Sequence, residues 1–476
     1  MQSGRQRMSE TPHIEITRQL ARFVVETDYR KLPSEAVAAA KRSILDCVGV
    51  TIAGSLEPAG RLVANLIRKT SGNPEAAVVG MGFRTSSANA ALANGTMAHA
   101  LDYDDVSTTA SGHPIPLHLT TVLLPVLLAL GEEQKASGRE IITAYVLGYE
   151  AASRLANAMS TDYGDQLGWH PTAPLGTVGA AAAAARLLKL NELQTATALG
   201  IAASQAAGLR QNFGTMVKPF HAGNAAKSGI ISALLAKEGF TAAPDALEGQ
   251  FGFCHAFSGG KGYDVNKIVE RLGESFQVIS PGPAIKLYPC CGSTHGALDA
   301  LLALLKKHEI KTERISAIEV SVPFDPPRSL IYDNPKTGLE GKFSIQYCMA
   351  AALVDRKVNL QTFTTEQVQR PGVRKFFDRI KMFRPPERKG KPSWEPPVYV
   401  VTVKMDNGKA YSEQGKVPFI APIRVPTRQE LIEKYRDCAS LVLPPDKVDE
   451  SLELLDNLER LRDISRLAEI LIGENR

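Results

Sequence analysis

The stretch Asn94–His118, NGTMAHALDYDDVSTTASGHPIPLH, concentrates acids and histidines between two small-residue or apolar runs. Carboxylates and imidazoles between buried helices are costly unless they are paired or used. The stretch is therefore read as one wall of an active site, against the alternative of a solvated helix end. A carboxylate of the cluster Asp102, Asp104 and Asp105 would orient or activate a neighbouring histidine or lysine. His113 stands before a proline, which restricts its backbone to an extended form and aims its ring reproducibly. His118, among apolar neighbours, reads as a packing residue.

Three more segments carry comparable chemistry. His170-Pro171 directly precedes PLGTVG, which puts an imidazole at a helix N-terminus, where an anionic ligand is favoured. Lys218, in KPFHAGNAAK, is expected in a loop between two helices, presenting its ammonium to a carboxylate. Lys286, in IKLYPCC, lies between apolar residues, while His295 opens the following helix and reads as packing or capping. Cations that hold carboxylates, next to groups that can exchange protons, suit reactions at a carbon beside a carboxylate.

Other chemistries lack their residues. The acid cluster has neither the glycine nor the distal glutamate of an EF-hand loop. His113 and His118 are five apart and cannot form the i, i+4 pair of a zincin, and adjacent Cys290 and Cys291 chelate one ion poorly. No GxGxxG after a strand and no Walker-type loop exists, which disfavours nucleotides.

The elements that must position these residues are mainly helices. Periodicity predicts helices over 14–25, 34–54 with Ser34 as cap, 140–159, 175–188, 192–207 and 224–238. No strand is expected in this half. A short helix is expected at 265–272, and after Phe276 the pattern changes: a helix at 294–308, strand-type alternation in AIEVSVP, and two strands flanking Asp406-Asn407-Gly408, a hairpin signature. FSIQYCMAAALV reads as helix, and FRPPERKGKPSWEPP as an exposed loop. Helices return from Thr427. The expected fold class is mostly α with an α+β lid. Residues 1–275 form a helical domain, 276–425 a smaller α/β domain, and 426–476 rejoin the first. At 476 residues the chain is too long for one ordinary core.

Composition narrows the partners. A net charge of +5 with 6% aromatic residues does not suit a nucleic-acid binder, but a mildly basic surface attracts small polyanions. The six cysteines lack framework spacing, so a reducing compartment, the cytoplasm, is expected. The first residues show no apolar signal core. The longest apolar run, Val122–Leu130, falls far short of the ~20 residues of a membrane span.

The segments NGTMAHALDYDD, GHP, HPTAPLGTVGAAAAAA, VKPFHAGNAAKSGI, LEGQFGF, IKLYPCCGSTHGALDALL and KFSIQY, in this order, resemble the MmgE/PrpD family over nearly the whole chain. That family includes 2-methylcitrate dehydratase, cis-aconitate decarboxylase and iminodisuccinate epimerase. The resemblance implies a homodimer with a site between helical domain and lid, acting on a small di- or tricarboxylate without metal or organic cofactor. It implies Asp102, His113, His170, Lys218 and Lys286 as catalytic residues and Tyr332 as the lid tyrosine. Val106 and Cys291 are implied substrate contacts, standing where the decarboxylase has threonine and histidine. Dehydration is the first reading, with epimerisation or decarboxylation as alternatives, and a non-catalytic ligand-binding homologue outside enzymes.

Overall fold

The computed structural model describes residues 15–474 apart from 71, 110–114, 161, 165, 387–397 and 418–422. Helices α1 (Ile16–Glu26), α2 (Ser34–Gly54) and α3 (Pro58–Thr70) lead into a short antiparallel hairpin, β1 (Ala76–Val78) with β2 (Phe83–Thr85). Then come α4 (Ser87–Ala100), α5 (Thr120–Glu133), α6 (Gly138–Ala158), α7 (Thr172–Leu187), α8 (Glu192–Gln205) and α9 (Val217–Lys237). A short α10 (Phe253–Phe257) closes this part.

The second part begins with α11 (Gly292–Lys307), β3 (Ile315–Ser321), α12 (Gly338–Gly341) and α13 (Ile345–Asp355). It continues through α14 (Thr365–Gln369), α15 (Pro371–Arg374), β4 (Ile380–Phe383), β5 (Val398–Met405) and β6 (Ala410–Lys416). The sheet order is β4-β3-β5-β6, with β3 and β4 parallel and the other pairs antiparallel. Gly408 (φ +81°) makes the left-handed turn between β5 and β6 that the Asn-Gly pair predicts. Last come α16 (Arg428–Ala439), α17 (Pro445–Asp456) and α18 (Ser465–Leu471).

Apolar burial divides the same way. One core draws on residues from Ile16 to Val278 and again from Leu431 to Leu471, and a second runs from Cys290 to Val417. Thus the last helices pack with the first ones, and α11, α13 and the sheet have their own interior. Among the described residues no helix is long and apolar enough to cross a membrane.

Small residues set the distance between the helices that carry the site. A Cβ added to Gly95 of α4 would lie 2.6 Å from the Cα of Gly223 in α9, and one on Gly223 would lie 2.1 Å from the carbonyl oxygen of Leu92. Only glycine permits this backbone contact. The end of α4 and the start of α9 are thereby held side by side, which matters because Asp102 follows the one and Lys218 begins the other.

Four expectations change. The β1–β2 hairpin is too short to show alternation in the sequence. α9 begins at Val217 instead of residue 224, because Pro219 falls in the first turn, where a missing N–H costs nothing. Lys218 is accordingly helical and not in a loop. Ser34 does not cap α2; it is the first helical residue after Pro33, and its hydroxyl donates to Glu35. The helix expected after Asp264 is a single 3₁₀ turn, Val265–Ile268. Most of the Pro/Lys/Arg loop lies outside the described residues, but its first residue, Phe383, ends strand β4.

Replacing Gly223 by alanine forces a methyl group into the Leu92 carbonyl and is expected to cost about 1–3 kcal/mol. Urea unfolding should show a lower midpoint at an unchanged m-value; an unchanged midpoint would mean that α4 and α9 part freely.

Candidate active site

The turn that ends α4 sets the site. Leu101 keeps helical dihedrals, and Asp102 then adopts φ +51°, the left-handed conformation of a helix C-terminus that is usually given to glycine or asparagine. This turn brings the carbonyl and the carboxylate of Asp102 to one ammonium: Lys286 Nζ donates to Asp102 O at 2.8 Å and to Oδ1 at 2.9 Å. Lys218 Nζ donates to the same Oδ1, also at 2.9 Å. All three residues are buried. Asp102 Oδ2 is buried with no hydrogen-bond partner among the described residues.

Burial opposes the charge on Asp102, but the ammonium groups of Lys218 and Lys286 outweigh it and hold the carboxyl well below the usual carboxylate range. Burial likewise works against Lys286, while Asp102 and then Asp104 more than offset it and raise its pKa. Lys218 sits in the first turn of α9, where the helix dipole disfavours a cation. Asp102 compensates, and the rings of Phe343 and Phe213 lie 5.2 and 5.4 Å from its nitrogen. An ammonium has three donors. Lys286 directs two of its own at Asp102, and Lys218 directs one at Asp102 and a second at His99 Nε2, 2.9 Å away.

Four histidines continue the network. His99 Nδ1 lies 3.0 Å from Asp104 Oδ1, and His118 Nδ1 lies 2.5 Å from Asp104 Oδ2 and 3.1 Å from the carbonyl oxygen of Asp105. His170 stacks on His99 with ring centroids 5.8 Å apart and puts Nδ1 3.0 Å from His221 Nδ1. Its Nε2 is buried without a partner among the described residues. Burial, then Lys218, pushes His99 down to about 3 and His170 well below its ordinary value. Burial also lowers His118, and takes His221 down to about 4. His99 and His221 are thus uncharged at neutral pH, and burial disfavours the charged forms of His118 and His170 in the same way. Asp105, pushed up to about 7 by burial, accepts from Thr120 at 2.7 Å.

These groups face a cavity between the two cores, lined by Asp102, His118, His170 and Lys218 on one side and by Lys286, Cys291, Phe343 and Tyr399 on the other. Arg210 and Arg328 also line it. Arg210 spans the two sides, donating to Gly164 O at 3.0 Å and to Ser329 Oγ at 3.3 Å. The main chain around the acid cluster is fixed from outside. Val106 and Ala284 exchange backbone hydrogen bonds at 2.8 Å, and Ser107 pairs with Leu117. Lys434 of α16, buried and 2.6 Å from Asp46, donates to Tyr103 O at 2.8 Å and to Lys286 O at 3.0 Å.

Asp102, His170, Lys218, Lys286, Val106 and Cys291 thus meet at one cavity. His113 lies outside the described residues. Tyr332 is not in the lining; its hydroxyl donates to Phe213 O at 3.2 Å, and Tyr399 occupies the wall. His118, read as packing, is on the cavity surface. His99, in the last turn of α4 three positions before Asp102, also belongs to the site, although its small-residue surroundings give it no signal of its own. Arg210 and Arg328 carry no local signal at all. His99, Asp102, Asp104 and His118 offer ligand atoms within 4.8 Å of one another, a spacing that a metal ion could use. The fit is poor, because Lys218 occupies His99 Nε2 and two ammonium groups occupy Asp102 Oδ1.

Comparison with known proteins matches the MmgE/PrpD N-terminal domain to residues 18–266 and the MmgE/PrpD C-terminal domain to residues 288–460. Cis-aconitate decarboxylase of Homo sapiens is 30% identical over 457 residues, 93% of this chain and 91% of that protein. The Mus musculus enzyme is 29% identical over 474 residues, covering 96% and 93%. That of Aspergillus terreus is 28% identical over 472 residues, covering 92% of each.

Asp102→Asn tolerates the left-handed turn but strands two buried ammonium groups, at an expected cost of about 3–5 kcal/mol. Because the folded-state pKa of Asp102 is depressed, its contribution is complete above the unfolded value near pH ~4 and is lost as pH falls through the folded value. The difference in unfolding free energy between wild type and variant should be flat at neutral pH and shrink in acid. A difference that persists unchanged in acid would contradict the ion-pair assignment.

Proposed function

The chain belongs to the MmgE/PrpD family, and from that premise we propose that it decarboxylates an unsaturated tricarboxylate of the cis-aconitate type, without a metal or organic cofactor. The observation that carries this reading is the charge of the cavity. Lys218 and Lys286 share the single carboxylate of Asp102, which leaves one positive charge over at the cavity wall, where a carboxylate of the substrate would bind. The likeness to cis-aconitate decarboxylases over more than nine-tenths of the chain supports it.

The reaction needs what these residues can supply. In an allylic carboxylate the C–C bond to the departing carboxylate breaks, and its electron pair becomes a new C=C. The electrons of the old double bond move to the carbon beside a second carboxylate, which takes on enediolate character. One proton then goes to that carbon, and one CO₂ leaves. The remaining N–H of Lys218 and of Lys286 would hold the second carboxylate as its charge grows, where preorganised donors act most strongly. Binding the substrate across the cavity fixes the scissile bond relative to them. Asp102 keeps both ammonium groups in place, so they need not reorganise during the reaction.

Dehydration, the first reading from the sequence, becomes the second. It draws on His170 Nε2, which has no partner among the described residues and is a lone pair in the tautomer that donates from Nδ1 to His221, suited to removing a proton while an ammonium protonates the leaving hydroxyl. Val106, which offers a methyl where the resemblance implies a threonine, makes this part of the wall apolar. A homodimer is proposed with the family and is read by light scattering.

The test is incubation of the purified protein with cis-aconitate, citrate and 2-methylcitrate, with and without EDTA. The expected result is CO₂ release from cis-aconitate, one per molecule of product, insensitive to EDTA and lowered about 10²–10³-fold in kcat/KM by Lys286→Ala. Water loss without CO₂ would replace decarboxylation by dehydration, and loss of activity with EDTA would overturn the metal-free reading.

A further inference from the structure

We infer that His118 is the acid that protonates the reacting carbon, and that Asp104 is the positioning residue which aims it; the inference rests on the lyase reading above. The hydrogen bonds leave one consistent assignment of protons. Lys218 can only donate, so His99 Nε2 accepts and the His99 proton is on Nδ1, donated to Asp104 Oδ1. Asp104 Oδ2 and the Asp105 carbonyl can only accept, so His118 carries its proton on Nδ1 as well. His118 Nε2 is then a lone pair on a ring that lines the cavity. A carboxylate on the far nitrogen of an imidazole fixes its tautomer and stabilises the imidazolium.

The other groups at the cavity are less suited to this step. His170 has a histidine, not a carboxylate, at its Nδ1, and Lys218 lies nearby, so among the described residues its imidazolium has no counter-ion. The two lysines share Asp102 Oδ1, and the pKa of Lys286 is raised, which makes it a poor proton donor. Asp104 has no exposed surface, and its two oxygens are taken by the two histidines. A polyanion entering the cavity favours the His118 imidazolium, charged at the edge that faces it. In the step itself the Nε2–H bond breaks as the new C–H bond forms and CO₂ departs. His118 returns to the neutral imidazole, Asp104 remains a carboxylate, and one proton from solvent reloads Nε2 for the next turnover.

The experiment compares His118→Gln, His118→Ala, Asp104→Asn and His113→Gln in the full chain, with cis-aconitate as substrate. His118→Gln should lose about 10²–10⁴-fold in kcat, the range of general acid catalysis, with KM changed only a few-fold. Added imidazole should restore part of the His118→Ala rate, a response that a misfolded variant cannot give. Asp104→Asn should move the kcat–pH profile to lower pH, since Lys218 and Lys286 then face the imidazolium with only Asp102, already shared between them, as a nearby carboxylate. His118→Gln with wild-type kcat, no rescue by imidazole, or an unmoved profile in Asp104→Asn would overturn the assignment, as would a loss of kcat confined to His113→Gln. A wild-type protein inert toward every acid tried would instead remove the lyase reading beneath it.

Discussion

One oxygen atom carries two positive charges in this molecule. Lys218 and Lys286 both bond to Asp102 Oδ1 at 2.9 Å, in a place closed to bulk water. Burying three charges is costly, and their mutual attraction offsets the cost only when geometry is maintained. Much of the architecture supplies that geometry. The left-handed turn after α4 points carbonyl and carboxylate the same way, and the glycine contact between α4 and α9 fixes where Lys218 begins. The pairing of Val106 with Ala284 brings the segment of Lys286 alongside. The ion pairs thus tie the segment that leads into the second core to helices of the first, at the point where a substrate would bind on the proposed reading.

Surplus cation follows from this arrangement. A single carboxylate shared by two ammonium groups leaves each lysine one further donor at the cavity. The histidines behind them are neutral because burial and the neighbouring cations disfavour their charged forms. On the proposed function, the cavity would receive an anion beside imidazoles whose charged forms are disfavoured until it arrives.

The helical layer was legible in the sequence because amphipathic and small-residue periodicity repeats over many turns. The β5–β6 hairpin was legible because Asn-Gly demands its turn. The β1–β2 hairpin was not, since three residues per strand cannot establish a period. Lys218 was misplaced because a proline in a helical first turn looks like one in a loop. Asp102, His170, Lys218 and Lys286 came from the family resemblance more than from spacing, as residues far apart in the chain leave no local trace of their meeting. His118 was set aside for its apolar neighbours, although what decides its character is Asp104, fourteen positions earlier. Tyr332 and Tyr399 show the same limit, for nothing local tells which tyrosine a fold will turn inward.

Lys434 gives the chain a sense of time. It neutralises buried Asp46 of α2 and holds the carbonyls of Tyr103 and Lys286, yet it belongs to the first of the closing helices. A ribosome has therefore made both lysines of the cavity, and the whole sheet, before the residue that fastens their main chain exists. Until then Asp46 lacks its counter-ion and the cavity wall its clasp. Synthesis of α16 thus locks the site, and a nascent chain short of it holds Lys218 and Lys286 against Asp102 without the frame that fastens their main chain.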